Sequence, residues 1–216
     1  MENGPTSETD VGPRQSHCEA FEQKEKPGIS IYKDVFDEKF CRFLFKNAIN
    51  ELSKGSSFRR SNFHWDSTIV RASQVVLVRD YDETLSKIIL SELVRNSIID
   101  NYQYDVMNYV WTKLSYVPWH YDDHRKIAMT VYLNEEWDED WGGVFLYKDA
   151  NTGQIKGYAP KFNTAIENRG HIQHATTMIT PDAACPRITL QLFSANLETV
   201  SQASRSLLEK RDSVAV

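Results

Sequence analysis

Cysteine, long apolar runs and excess basic charge are scarce or absent in this chain, and each shortage removes a class of protein. The 3 cysteines, Cys18, Cys41 and Cys185, are odd in number and have no CxxC spacing. That fits reduced thiols better than a disulfide framework or a zinc cluster. No apolar run approaches the roughly 20 residues of a membrane-crossing helix. The first residues, Met1-Glu2-Asn3-Gly4-Pro5, have neither a basic nor an apolar segment of the secretory kind, so a cytoplasmic location is expected. Lys plus Arg total 25 against 30 for Asp plus Glu, a formal charge of -5. This argues against a general nucleic-acid binder while leaving room for a small basic pocket. There is no internal repeat, and no biased segment beyond a polar N-terminal tail.

What is present suits one well-buried domain: 216 residues, 41% hydrophobic and 25% charged, within the ordinary soluble range. Residues 1–27 hold almost no branched apolar side chains and are expected to be a disordered tail. Ile29, Ile31 and Tyr32 then begin a strand. Asp37 offers a helix N-cap ahead of Phe40, Phe43, Leu44, Ala48 and Leu52 at helical spacing. Residues 53–67 read as loop and Ile69 to Val78 as a strand. Asp82 caps a second helix, with Leu85, Ile88, Ile89 and Leu93 as its stripe. From Tyr102 to Asn196, short β-prone runs are broken by Pro118, Asn134, Gly142-Gly143, Gly153, Gly157, Pro160, Gly170 and Pro181. This is the punctuation of an antiparallel sandwich or barrel. The domain is expected over 28–197, with 198–216 a C-terminal tail or short helix.

In Trp119-His120-Tyr121-Asp122, side chains two apart on an extended chain share a face, so His120 and Asp122 can aim a nitrogen and an oxygen at one point. A third ligand from a facing strand would complete a two-His, one-carboxylate triad, which binds Fe(II) and keeps three coordination positions open. His171 and His174 compete for that place and cannot share a strand face. His174 opens a continuous run, His174-Ala175-Thr176-Thr177-Met178-Ile179, whereas His171 follows Gly170 in a bend, and the turn signals favour His174. An isolated HxD matches by chance more often than by function, so its surroundings must carry the reading.

Those surroundings include Arg187-Ile188-Thr189-Leu190-Gln191-Leu192, with the apolar residues on one face and Arg187, Thr189 and Gln191 on the other. If the apolar face packs outward, Arg187 points into the barrel, where an unpaired charge is costly. A dicarboxylate co-substrate would pair with it through a bidentate fork. The competing reading is a structural arginine paired to a core Asp or Glu. On the run Ile127 to Asn134, Tyr132 lies on the more polar face and can join Arg187 at the same carboxylate, or be a plain core tyrosine.

In chain order, the HxD at 120 and 122, Thr130-Val131-Tyr132-Leu133-Asn134, Trp137-Asp138, Gly142-Gly143, His174 and Arg187 resemble the prolyl 4-hydroxylase-like branch of the Fe(II)- and 2-oxoglutarate-dependent oxygenases. The likeness spans roughly Ile29 to Asn196. It implies a mostly β fold with flanking helices, a double-stranded β-helix of the jelly-roll, cupin-like kind. It also implies His120, Asp122 and His174 as iron ligands, and Arg187 with Tyr132 on the distal carboxylate of 2-oxoglutarate. Thr189 falls where the family often has a hydroxyl residue, and Tyr109 or Tyr116 where it often has a pocket tyrosine. The family frequently has a glycine in the turn before HxD, and Trp111-Thr112-Lys113-Leu114-Ser115-Tyr116 has none.

The implied activity is hydroxylation of an unactivated C–H of an amino-acid side chain, free, peptidyl or within a small natural product. Dioxygen is consumed, succinate and CO2 are co-products, and ascorbate is a candidate reductant. Related halogenases have a small residue in place of the carboxylate ligand, so Asp122 favours hydroxylation. Trp119, Arg71 and Trp65 are candidate substrate contacts at the mouth. A protein prolyl hydroxylase is the near alternative. A non-catalytic sensor barrel binding metal or 2-oxoglutarate is an alternative of another class. Neither nucleic acid nor membrane is expected as a partner.

Overall fold

The computed structural model describes residues 28–55, 58–60, 76–100, 103–122, 125–169 and 172–195. The expected tails at 1–27 and 198–216 lie outside them, as do Trp65, Arg71 and His171. The elements run β1 (Gly28–Lys33), α1 (Glu38–Lys54), β2 (Arg59–Arg60), β3 (Val76–Asp80), α2 (Glu83–Arg95), β4 (Tyr104–Trp111), β5 (Val117–His120) and β6 (Arg125–Tyr132). They continue with β7 (Phe145–Lys148), β8 (Ile155–Tyr158), β9 (Thr164–Arg169), β10 (His174–Thr176) and β11 (Arg187–Ala195). Seven strands form a major sheet in the order β1-β9-β6-β11-β4-β3-β2, and four form a minor sheet, β5-β10-β7-β8. Every recorded strand pairing is antiparallel. The mostly β jelly roll with flanking helices, a double-stranded β-helix, is the expected architecture.

Both helices begin where their caps predict. Asp37 accepts from Lys39 N at 2.9 Å and Asp82 from Leu85 N at 2.8 Å, satisfying amides that have no partner within the helix. α1 ends at Gly55, left-handed at φ 72°, whose N–H reaches Leu52 O, the usual glycine stop. Cys41, Leu44 and Ala48 of α1, with Ile89 and Leu93 of α2, pack on the outer face of the major sheet against Val110, Met129, Val131, Ile188, Leu190 and Leu192. Cys41 is thus a core residue. Two stripe residues are exposed: Phe43 is 48% exposed and Ile88 46%. Each precedes a buried residue by one position, about 100° around the helix, which puts it beyond the contact face. Phe43 instead stacks on Phe40 at 6.0 Å between centroids.

The outward packing of Ile188, Leu190 and Leu192 decides the rest. Strand alternation turns Arg187, Thr189 and Gln191 to the interior between the sheets. The same face carries Tyr109 and Trp111 of β4, in Cα register with Thr189 and Arg187, and Tyr132 of β6, opposite Thr189. No helix among the described residues is long and apolar enough to cross a membrane.

Candidate metal centre

β5 and β10 are neighbours in the minor sheet, and their register sets His174 directly across from His120. Beyond His120 the chain leaves the strand, and Asp122, two residues on, turns back toward both rings. Its Oδ1 lies 3.7 Å from His120 Nε2 and its Oδ2 3.5 Å from His174 Nε2. One ligand atom from each of the three residues lies within 4.8 Å of the others. The histidine–carboxylate separations exceed hydrogen-bond length, as they do when a single ion is to sit between the groups.

The far sides of the rings are tied down. His120 Nδ1 lies 2.8 Å from Pro118 O and His174 Nδ1 2.9 Å from Ile172 O. With the proton on Nδ1 each ring donates to a carbonyl and presents the lone pair of Nε2 inward, the arrangement that fixes a metal-ligating imidazole. Burial holds the His174 imidazole below its ordinary pKa, against the pull of Asp122. That keeps it in the neutral form that ligates. Phe145 stacks on the ring at 5.3 Å. The carbonyl to which His174 donates is itself held by Asn168 of β9: Nδ2 donates to Ile172 O at 3.1 Å, and Oδ1 accepts from Ile172 N at 3.3 Å. Asn168 escaped the sequence reading because its role depends on a contact between β9 of the major sheet and the segment leading into β10 of the minor sheet.

Deeper in the interior, Arg187 is 2% exposed, yet no carboxylate among the described residues pairs with it. Its Nη1 donates to Gly143 O, its guanidinium lies 4.3 Å over the Trp111 ring and 5.8 Å from the centroid of Tyr132, and Nε has no partner. Burial lowers its pKa to about 10, so the group is still a cation at neutral pH. Burial also raises the Tyr132 phenol to about 12, leaving it a hydrogen-bond donor. Thr189 Oγ1 accepts from Trp111 Nε1 and Gln191 Nε2, both at 3.0 Å, which leaves its own proton to donate. Thr130 Oγ1 donates to Gln191 Oε1 at 2.8 Å. A buried cation without an acid, ringed by spare donors, fits a ligand carboxylate.

Gly143, one of the glycines that punctuate the β region, is required by its surroundings. At φ +71° a Cβ would meet Arg187 Nη1 and Ile179 Cδ1, each at 2.6 Å, so the close approach of backbone to guanidinium requires glycine. The missing glycine before HxD has a different resolution. Leu114 takes the left-handed conformation itself, at φ 68°, pinned by its N–H to Ile179 O at 2.8 Å.

The remaining expected residues fall as follows. Tyr109 is buried on the inward face, 6.1 Å from Trp111 between ring centroids, whereas Tyr116 is half-buried in the turn before β5. Trp119 is 37% exposed, with Lys148 Nζ 5.6 Å from its ring. Strand alternation sets it on the face of β5 opposite His120.

The family model of the 2OG-Fe(II) oxygenase superfamily matches residues 104–194, which contain the triad, Tyr132 and Arg187. No curated protein matches the sequence. Among solved structures, a Pseudomonas putida prolyl-4-hydroxylase is similar at TM-score 0.61 and 14% identity, over 79% of this chain and 94% of that one. A Trichoplax adhaerens prolyl hydroxylase in complex with a hypoxia inducible factor oxygen degradation domain peptide fragment is similar at TM-score 0.61 and 16% identity, over 80% and 85%. An oxidoreductase of the 2OG-Fe(II) oxygenase family from Burkholderia pseudomallei gives 0.53 and 16%, over 78% and 85%. These identities speak for a shared fold. The segment that holds the site, residues 104–194, thus matches the 2OG-Fe(II) oxygenase superfamily, the 2-oxoglutarate-dependent dioxygenases, on a fold shared with these structures.

Proposed function

We propose that the protein hydroxylates an unactivated C–H of an amino-acid side chain, free, within a peptide or within a small natural product. His120, Asp122 and His174 would hold Fe(II), and Arg187 with Tyr132, Thr189 and Tyr109 would line the 2-oxoglutarate pocket. The observation that carries this reading is a buried arginine without an acid partner, in the same interior as a His-Asp-His triad.

When bound, Fe(II) with 2-oxoglutarate and dioxygen supplies the oxidant, with succinate and CO2 as co-products; this chemistry belongs to the cofactor pair. The chain's own contribution is positioning. Two strands fix the imidazoles, Asp122 supplies the anionic ligand, and three protein ligands leave coordination positions for co-substrate and dioxygen. Arg187 offers a dicarboxylate a charge-assisted hydrogen bond in a water-poor interior, where such bonds are strongest. Trp111 and Gly143 hold the guanidinium from two sides, so little side-chain entropy is lost on binding.

A prolyl residue in a peptide is the near alternative substrate, favoured by the prolyl hydroxylases among the similar folds, one of them bound to a peptide. Of the aromatic and basic residues expected at the mouth, Trp119 alone is described, and its place on the face of β5 opposite His120 does not favour a substrate contact. The test is to incubate the protein with Fe(II), 2-oxoglutarate and oxygen, with and without ascorbate, and measure succinate while screening amino acids and peptides for a mass gain of one oxygen. Uncoupled succinate formation is expected even without substrate. Its complete absence in metal-loaded protein would favour the sensor barrel.

A further inference from the structure

Tyr158 closes β8 in the minor sheet, and its hydroxyl is buried without a hydrogen-bond partner. The sequence reading gave it no role. Its ring packs on the interior cluster of Tyr132, Phe145 and Ile166, directly across the strand pair from Phe145. Tyr132 is the hinge of the arrangement. From the minor sheet Tyr158 reaches it, close enough to oppose ionisation of its phenol. From the major sheet comes Arg187, with Nε unpartnered.

Side chains from β6, β8 and β11 thus neighbour one another in turn: Tyr158 packs on the cluster that holds Tyr132, and the Tyr132 ring lies 5.8 Å from the Arg187 guanidinium, with the Tyr158 hydroxyl and Arg187 Nε both unpartnered. All three can donate: two phenols and a guanidinium. Buried donors without acceptors destabilise a fold. A guanidinium beside two hydroxyls that can donate is complementary to an anion.

We infer that Tyr158 is a co-substrate-binding residue, its O–H donating to the distal carboxylate of 2-oxoglutarate beside Arg187 and Tyr132. The inference rests on the 2-oxoglutarate reading above. It gives the carboxylate a clamp drawn from both sheets, so that binding ties the minor sheet to the major one. A tyrosine that merely filled the core, or bonded only to trapped water, would leave co-substrate affinity untouched when its hydroxyl is removed.

The test uses the full chain loaded with Mn(II), which is redox-inert here, and titrates 2-oxoglutarate calorimetrically into wild type, Y158F and R187M. Y158F keeps the ring and should fold. Its apo melting temperature should equal or exceed that of wild type, because an orphaned hydroxyl is gone. Its Mn(II) affinity should be unchanged, and its Kd for 2-oxoglutarate should rise about tenfold or more, as expected for a lost hydrogen bond to a charged group. If wild type binds 2-oxoglutarate, R187M binds it poorly and Y158F matches wild type within twofold, the inference alone is overturned. A joint fall in apo stability and Mn(II) affinity in Y158F would also overturn it, by making Tyr158 structural. If wild type itself fails to bind 2-oxoglutarate, the functional reading falls and takes the inference with it.

Discussion

Replacing Arg187 with methionine separates a ligand-binding arginine from a structural one, because the two roles predict opposite patterns in the apo protein. Burial shifts its pKa from 12.5 to about 10, which corresponds to about 3 kcal/mol of unfavourable desolvation at 1.36 kcal/mol per pKa unit. The folded state holds this proton more weakly than the unfolded chain does. The penalty therefore stands in full below pH of about 10 and disappears only above the ordinary arginine range. Against it are the bond to Gly143 O, worth about 1.5–3 kcal/mol for a charged donor, and the 4.3 Å stacking on Trp111, worth about 2 kcal/mol when desolvated. Methionine removes both sides together, so the apo melting temperature should move by no more than about 5 °C for a domain of this size. Co-substrate affinity has no such cancellation. Truncating one partner of a buried charge pair costs about 2–5 kcal/mol, so Kd for 2-oxoglutarate should rise by about 30- to 5000-fold, with Mn(II) affinity retained. Differential scanning fluorimetry with and without 2-oxoglutarate reads both quantities in one plate. An apo melting temperature lower by 10 °C or more, with co-substrate stabilisation intact, would refute the reasoning.

Three further outcomes follow from the site. His174→Ala should abolish stoichiometric Fe(II) or Mn(II) binding while His171→Ala retains it; electron paramagnetic resonance of the Mn(II) complex would show the reverse if the ligand choice is wrong. Asn168→Ala should weaken metal binding by about 10- to 100-fold, the usual effect of removing a group that orients a ligand, and the metal titration of a correctly folded variant checks it. Leu114→Gly relieves a left-handed leucine, a gain of about 1–2 kcal/mol, set against about 0.4–1 kcal/mol of added unfolded-state entropy. Its melting temperature should therefore stay level or rise by a few degrees, and a clear fall would mean that the half-exposed side chain packs more than its position suggests.

Much of this site is legible in local pattern. The HxD spacing places two candidate ligands because strand geometry has a period of two, and β5 does end in extended residues at His120. The alternation in β11 announces an inward arginine before any partner strand is known, since the apolar set must go to one face. Helix starts follow from Asp37 and Asp82, whose carboxylates reach amides only two or three residues away. Misjudged positions such as Phe43 and Ile88 sit at the margin of a stripe, where helical period alone does not say how wide the covering sheet is.

What the sequence alone determined, then, is the identity of residues whose partners are close along the chain or whose face is set by alternation: His120 with Asp122, the inward side of Arg187, and the caps. Only the tertiary structure set His174 in register with His120, brought Asn168 under the Ile172 carbonyl, laid Gly143 against the guanidinium and left Tyr158 with an unmatched hydroxyl beside Tyr132. Those relations join strands distant in sequence, and a strand's own side-chain pattern specifies its faces but not which neighbour will lie across them.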